Sequence, residues 1–261
     1  MQIIIRTLFL LTISASTLYA QEFQGVATYK TKNKIEIELD STMTDVMQEQ
    51  IMAMLQKQSE KTFTLTFDKE QSIYKEDESL APPSLGNGMM VMSSYGSDLL
   101  YKNIKEDRYT KQSDFLGKVF LIQDTFEKID WNLQSDTKNI GKYTCFKATA
   151  EQLIKIYAHS DESTEKSITI TAWYTPQIPV SNGPSKFQGL PGLILELSYD
   201  SNTILCSKVI LNPTKPITIK SPKKGETVSQ PEYDRIVEKK MDEMSVGGRG
   251  AGARVQIEIM D

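Results

Sequence analysis

The chain has 261 residues, and its 30 Lys and Arg against 34 Asp and Glu leave a formal net charge of −4. With 39% hydrophobic and 25% charged residues, the composition is typical of a globular protein and excludes wholesale disorder. A mildly acidic chain lacks the cationic surface that nucleic-acid binding needs, and a single His removes most imidazole zinc sites and most Ser-His or Cys-His catalytic pairs.

Residues 1–20 have the pattern of a secretory signal peptide. Arg6 is their only charge, an apolar run follows, and small residues lead to Ala20 before a polar pair. The apolar run Leu8–Ile13 is shorter than the roughly 20 residues that span a bilayer. The sequence therefore predicts cleavage near Ala20 and a periplasmic or secreted protein that does not span a membrane. The alternative is an uncleaved N-terminal anchor.

Alternating and helical patterns follow in the first half of the chain. Strands are predicted at 25–30 and 34–39, and an apolar stripe at helical spacing predicts a helix over 42–58. The next predicted strands are 63–67 and 72–76, followed by a loose segment over 77–97 that contains Met89, Met90 and Met92. Further strands are predicted at 99–104, 107–112, 118–123, 128–134, 141–151, 153–159, 167–175, 193–200 and 203–211.

The end of the chain predicts a helix over 231–244, a Gly-rich joint over 247–252 and a final strand over 254–260. The fold class is α+β, mainly β. We expect residues 21–261 to form a single domain, an extended, curved antiparallel sheet, half-barrel or partly closed, with about two helices packed on it.

The segment 172–197 is the most distinctive part of the chain. A strand ending in Trp173 and Tyr174 is followed by a loop that three prolines stiffen. Leu190–Leu193 fits a type II turn, because Pro and Gly occupy its two central positions. The strand that follows is apolar on both faces, so we expect it to be central in the sheet.

A hexapeptide spans this turn and consists of Gly189, Leu190, Pro191, Gly192, Leu193 and Ile194. It resembles the signature of the GLPGLI family of Bacteroidetes-type envelope proteins. The preceding Trp-Tyr-Thr-Pro run and the strand around Tyr143 and Cys145 are similar to the family's pattern as well. The resemblance implies an exported protein and carries no established activity. An acid is common in the family where Gln177 stands here.

Two roles are open for the loop after Trp173. It could be a structural latch that folds over the sheet and sets strand register. It could instead be a recognition surface, with Trp173, Tyr174, Pro179 and Phe187 lining a concave site, since rigid aromatic and proline surfaces bind at low entropic cost.

The remaining chemistry-bearing residues leave few options. Cys145 and Cys206 could form a disulfide in an oxidising compartment, worth roughly 4 kcal/mol, or remain buried free thiols. The methionines of the loose segment are a weak copper(I) candidate, and His159 reads as a solvated loop residue. No metal site, cofactor or catalytic residue is predicted.

These patterns favour an exported, non-enzymatic cell-envelope protein. Its ligand would be an apolar, amphipathic or lipid-like molecule, or its partner a component of an outer-membrane transport system. The first alternative is a carboxylate-based hydrolase without a recognisable motif. The second is a structural component of an envelope complex that pairs through its final strand.

Overall fold

The computed structural model describes residues 23–33, 44, 46, 60–77, 98–157, 164–200, 202–247 and 257–259. Thirteen strands and one helix of at least three residues lie within these ranges. The strands are β1 (Gly25–Asn33), β2 (Thr62–Phe67), β3 (Gln71–Glu76), β4 (Leu99–Asn103), β5 (Arg108–Phe115), β6 (Lys118–Thr125), β7 (Asn132–Ile140), β8 (Tyr143–Tyr157), β9 (Thr164–Thr175), β10 (Leu193–Tyr199), β11 (Asn202–Leu211), β12 (Glu226–Val228) and β13 (Ile257–Ile259). The helix, α1, spans Gln230–Gly247.

All thirteen strands belong to one sheet, in the order β12-β6-β5-β4-β3-β2-β1-β11-β10-β9-β8-β13, with β7 paired to β8 beside this path. The two end strands do not pair with each other, so the sheet is open. The mainly β class is confirmed. The expectation of a purely antiparallel sheet is wrong in one pair, because β12 lies parallel to β6. Parallel strands need a long connection between them, and here the chain from β7 to β11 connects β6 to β12.

Alternation along the strands builds the core. In β2, Leu65 and Phe67 are fully buried, whereas the intervening threonines are only half-buried. Strand β10 departs from alternation, since Leu193, Ile194 and Leu195 are all buried. Its place between β9 and β11 confirms the predicted central position, where both faces are covered.

Helix α1 begins with a capping box. The Ser229 backbone N–H and hydroxyl both donate to the Glu232 carboxylate at 2.8 Å, and the Glu232 N–H donates back to Ser229 Oγ at 3.4 Å. These bonds hold the pKa of the Glu232 carboxyl below its usual value. Buried Tyr233 and Val237 face the sheet, where Tyr233 contacts Phe120 edge-on. The predicted helix over 231–244 is confirmed and extends to Gly247.

Two predicted boundaries are wrong for identifiable reasons. The separate strands 141–151 and 153–159 are one strand, β8, because Gln152 continues the ladder with β9. The strand predicted at 128–134 is β7, which starts only at Asn132. The Trp131 N–H donates to the Ile129 carbonyl at 3.1 Å in a tight turn, so the chain is not extended there.

Several predictions fall outside the described residues: the signal peptide, the strand over 34–39, nearly all of the helix over 42–58, the loose segment after Asp77, His159 and most of the Gly-rich joint. Only one of the two expected helices is therefore described. The final strand pairs with β8 of its own chain. In the described ranges, no helix is long and apolar enough to cross a membrane.

Candidate functional site

The segment 176–192, here called the latch, connects β9 to β10 and folds back on both. Leu193 N donates to the Ile178 carbonyl at 3.0 Å, and Ile194 N donates to the Asn182 carbonyl at 2.9 Å. The Gln177 side chain accepts a bond from Thr144 N at 2.9 Å, so it ties the latch to β8. The latch is thus hydrogen-bonded along its length rather than projecting from the sheet.

The turn at the end of the latch differs from the predicted type II turn. The Gly192 N–H donates to the Leu190 carbonyl at 2.8 Å, which closes a three-residue turn, and Leu193 N bonds elsewhere. Gly192 has φ +155°, and a Cβ added there would lie 2.2 Å from the Thr175 carbonyl oxygen. The close crossing over the end of β9 therefore requires glycine at this position.

Side chains from three distant segments donate hydrogen bonds to backbone carbonyls in the latch or just past it. Trp131 Nε1 donates to the Gln188 carbonyl at 2.8 Å, and the Tyr29 hydroxyl donates to the Ile194 carbonyl, just past the latch, at 2.7 Å. Lys102 Nζ on β4 donates to the carbonyls of Gly183 at 2.7 Å and Ser185 at 2.8 Å. These contacts favour the structural alternative for the loop.

The four residues predicted to line a recognition site are not brought together as one surface. Tyr174 and Phe187 are buried, at 6% and 8% exposed, and Pro179 is exposed. Trp173 alternates with Tyr174 along β9 and lies under the Lys138 ammonium, 4.3 Å from its ring centroid. Lys138 in turn bonds to Glu196 at 2.6 Å. Of the four, Phe187 borders the cleft described next.

That cleft, of about 280 Å³, lies where the latch, β6 and the start of α1 meet. Its apolar surface comes from Tyr109, Phe126, Ile129 and Phe187. The Tyr109 and Phe126 rings are tilted against each other with centroids 5.4 Å apart. Its polar lining comprises Asp124, Thr125, Glu127, Gln152, Lys186, Gln230 and Asp234, with Pro231 beside them.

Gln230 organises one side of the cleft. Its side-chain oxygen accepts bonds from the Tyr109 hydroxyl at 3.0 Å and from Lys186 Nζ at 3.1 Å. Its side-chain nitrogen donates to Asp234 at 2.8 Å, and its backbone N–H donates to Asp124 at 3.0 Å. Lys186 also lies over the Tyr109 ring, 4.6 Å from the centroid. The polar groups are therefore held in place before any ligand arrives.

The lining of the cleft contains more negative than positive side chains. Asp124, Glu127 and Asp234 are carboxylates, whereas Lys186 is the only cationic side chain. A ligand entering the cleft therefore meets an excess of negative charge.

A second depression, of about 500 Å³, borders the latch near Trp131. It is shallower, and its lining comes from the consecutive residues 129–133 with Gly189 and Pro191. Because it lacks a comparable network of organised polar side chains among the described residues, we regard the smaller cleft as the candidate site.

The two cysteines are free and buried in the structure, so the alternative of a Cys145–Cys206 disulfide is not the one present. Two strands, β9 and β10, separate β8 from β11. At about 4.8 Å per strand interval the backbones are far beyond the roughly 7 Å that a disulfide allows between Cα atoms. Burial raises the pKa of both thiols to about 11, which keeps them protonated at neutral pH.

No group of three or more His, Cys, Asp or Glu side chains is placed to hold a metal ion in the described part of the chain. The methionine cluster lies outside it.

Most of the cleft was missed by sequence reasoning. Its residues come from β5, β6, the segment 126–129 after β6, β8, the latch and α1, and none of these segments carries a local motif for binding. The single signal that pointed to the region was the aromatic Phe187 in the proline-rich loop.

Comparison with known proteins supports the fold and leaves the activity open. The model of a family described as "Protein of unknown function (Porph_ging)" matches residues 131–196, which include the latch. This agrees with a Bacteroidetes-type family of unknown function, whereas the GLPGLI name stays a prediction. No curated protein matches the chain.

Two solved structures are similar to the chain, both of PNGF-II, in space groups C2 and P21. Their TM-scores are 0.51 and 0.50 at 14% sequence identity, so the similarity concerns the fold alone. The matched region covers 83% of this chain and 33% of PNGF-II, so the chain spans about a third of that protein's length.

Proposed function

We propose that the chain is an exported, non-enzymatic binding protein whose cleft takes a small amphipathic molecule with a cationic end. The observation that carries the proposal is one cleft with an aromatic floor and a pre-organised polar rim. Small-molecule sites typically combine these two features. The signal-peptide pattern of residues 1–20 supports export.

The volume of the cleft limits the size of the ligand that we expect. A volume of about 280 Å³ is just below the roughly 300–1,000 Å³ that is usual for small-molecule sites. This space suits a single ring or a short chain, with the remainder of the ligand in solvent. A complete lipid tail is too large for it.

The charge of the lining side chains indicates the chemical class of the ligand. Three carboxylates, one ammonium and the rings of Tyr109, Phe126 and Phe187 line the cleft together. Aromatic faces and carboxylates both attract organic cations, so an amine or quaternary ammonium end is favoured over a sulfate or phosphate end.

Fluorescence titration with two probes tests this proposal. Dansylcadaverine joins an aromatic ring system to a primary amine, and anilinonaphthalene sulfonate joins one to an anionic group. We expect saturable dansylcadaverine binding at least about tenfold tighter than binding of the sulfonate. Phe126→Ala should weaken dansylcadaverine binding about tenfold, because roughly 1.4 kcal/mol of aromatic contact is lost.

The matched control is Leu133→Ala, which removes an exposed apolar side chain (54% exposed) that lines the other depression. It should leave the dissociation constant unchanged. Equal affinity for both probes, or equal loss in the two variants, would show that the probes bind exposed apolar surface rather than the cleft.

A further inference from the structure

Lys102 is a fully buried lysine, at 0% exposed, in the middle of the sheet. Its ammonium nitrogen donates to two backbone carbonyls of the latch, Gly183 at 2.7 Å and Ser185 at 2.8 Å. Burying a charged amine without a carboxylate is costly, so the two carbonyls must offset the loss of hydration or the amine must lose its charge.

Two other buried polar side chains lie on the segments next to Lys102. Ser72 lies directly opposite it on β3 and is fully buried, and Asn182 precedes Gly183 in the latch and is fully buried too. Ser72 Oγ and Asn182 Nδ2 have no hydrogen-bond partner within the described residues. A protonated amine carries three N–H donors and a neutral amine carries two, so the two latch carbonyls match the donors of a neutral amine.

The two carbonyls belong to the part of the latch that forms the cleft. Ser185 has φ +49°, a left-handed conformation that non-glycine residues adopt only when contacts hold them there. The next two residues, Lys186 and Phe187, line the cleft. We call these two residues the cleft wall. The bond from Lys102 to the Ser185 carbonyl therefore fixes the backbone immediately before the cleft wall.

We propose that Lys102 is a positioning residue for the cleft wall: as a neutral amine it holds the Gly183 and Ser185 carbonyls, and protonation loosens the latch and weakens binding in the cleft. The consequence for binding rests on the proposed function, whereas the effect on the latch does not.

The groups that face Lys102 support a neutral amine. Tyr109 lies directly opposite it on β5, and Lys186 lies over the Tyr109 ring. Tyr74 on β3 is a protonated phenol at neutral pH, since burial raises its pKa. The carboxylates Asp124 and Asp234 bond to Gln230 instead. Burial alone lowers the pKa of Lys102 to about 7.

The sign of the pH dependence follows from this shift. An exposed lysine titrates near 10.5, so opening of the latch lets Lys102 take up a proton between about pH 7 and 10.5. The closed state is therefore favoured as pH rises through this window, by up to tenfold per pH unit for one proton. Below about pH 7 the amine is protonated in both the closed and the open latch, so the equilibrium between these two states no longer depends on pH.

A direct titration tests the protonation state. In protein with ¹³C-labelled lysine, the Cε signal of Lys102 is assigned by its loss in Lys102→Arg. We expect its midpoint near pH 7, whereas exposed lysines should titrate above pH 10. A midpoint above pH 9.5 would overturn the proposal.

Hydrogen exchange of the latch tests the positioning role. After correction for intrinsic exchange, protection of the Leu193 and Ile194 amides should rise several-fold to tenfold per unit from pH 7 to 9 in the wild type. In Lys102→Met and Lys102→Arg it should be at least tenfold lower at pH 9 and independent of pH. Lys105→Met, at an exposed ion pair with Glu70, should behave as the wild type.

Each outcome bears on the proposal. A midpoint near pH 7 with pH-independent latch protection would mean that Lys102 is neutral but does not position the latch, which contradicts it. If latch protection follows the titration and Lys102→Met also weakens dansylcadaverine binding at pH 8, both parts stand. If protection follows the titration but dansylcadaverine does not bind even the wild type, the proposed function fails while the positioning role stands.

Discussion

At the scale of single residues, the latch depends on positions where only one side chain fits. Gly192 is the clearest example, since a Cβ there would meet the Thr175 carbonyl oxygen at 2.2 Å. Lys102 is the second, because a long amine reaches two carbonyls from inside the sheet. Both residues act on the same 17-residue connection.

Gly192→Ala should destabilise the protein by more than about 2 kcal/mol, because backbone atoms rather than a flexible side chain occupy the space of the new methyl group. Chemical unfolding measures the change. The matched control is Gly117→Ala: Gly117 also has positive φ, +80°, but nothing lies within 4 Å of its added Cβ. The control should cost only about 1 kcal/mol. Equal losses would mean that the close crossing over β9 does not constrain the turn.

At the scale of elements, the start of α1 contributes to both stability and the cleft. Ser229 caps the helix, and the next residue, Gln230, bonds to Tyr109 and Lys186. The position of the helix end therefore determines where the polar rim lies. A helix that frays at this end should lose both the cap and the organised rim.

Ser229→Ala should lower the free energy of unfolding by about 1 kcal/mol, the usual cost of losing an N-cap. It should also weaken dansylcadaverine binding several-fold, because Gln230 would be less well held. Ser221→Ala is the control, since its hydroxyl bonds to the neighbouring Pro222 carbonyl at 3.4 Å and to no other group in the part of the chain that the structure describes. A stable Ser229→Ala variant with normal affinity would show that the cap does not determine the position of Gln230.

Elements with local signals could be predicted from the sequence. The alternating threonines of β2 and the Ser-x-x-Glu start of α1 indicate their structures directly. The start of β7 could not, because Trp131 bonds to Gln188, 57 residues away. The sequence of β4 predicts a half-exposed strand, so the burial of Lys102 could not be predicted from it. The latch, which covers Lys102, is distant in the sequence.

At the scale of the whole molecule, the open sheet brings distant segments to one place. The cleft joins β5 and β6 to the latch and to α1, which follow them by tens of residues in the chain. No single segment carries the signal, so the site emerges only from the sheet order. The recognition surface expected from Trp173, Tyr174, Pro179 and Phe187 stays a prediction, and the structure shows that Trp173 and Tyr174 alternate on β9 and that Tyr174 and Phe187 are buried.

The central claim is that ligands bind in the cleft lined by Tyr109, Phe126 and Phe187. A ¹H–¹⁵N NMR titration with dansylcadaverine tests it most directly, because the side-chain amides of Gln152 and Gln230 report from the lining itself. We expect saturable shifts at these two amides and at the Lys186 and Phe187 backbone. Shifts centred on Trp131 and Leu133, or on Trp173 and Pro179, or no saturable shift at all, would contradict it.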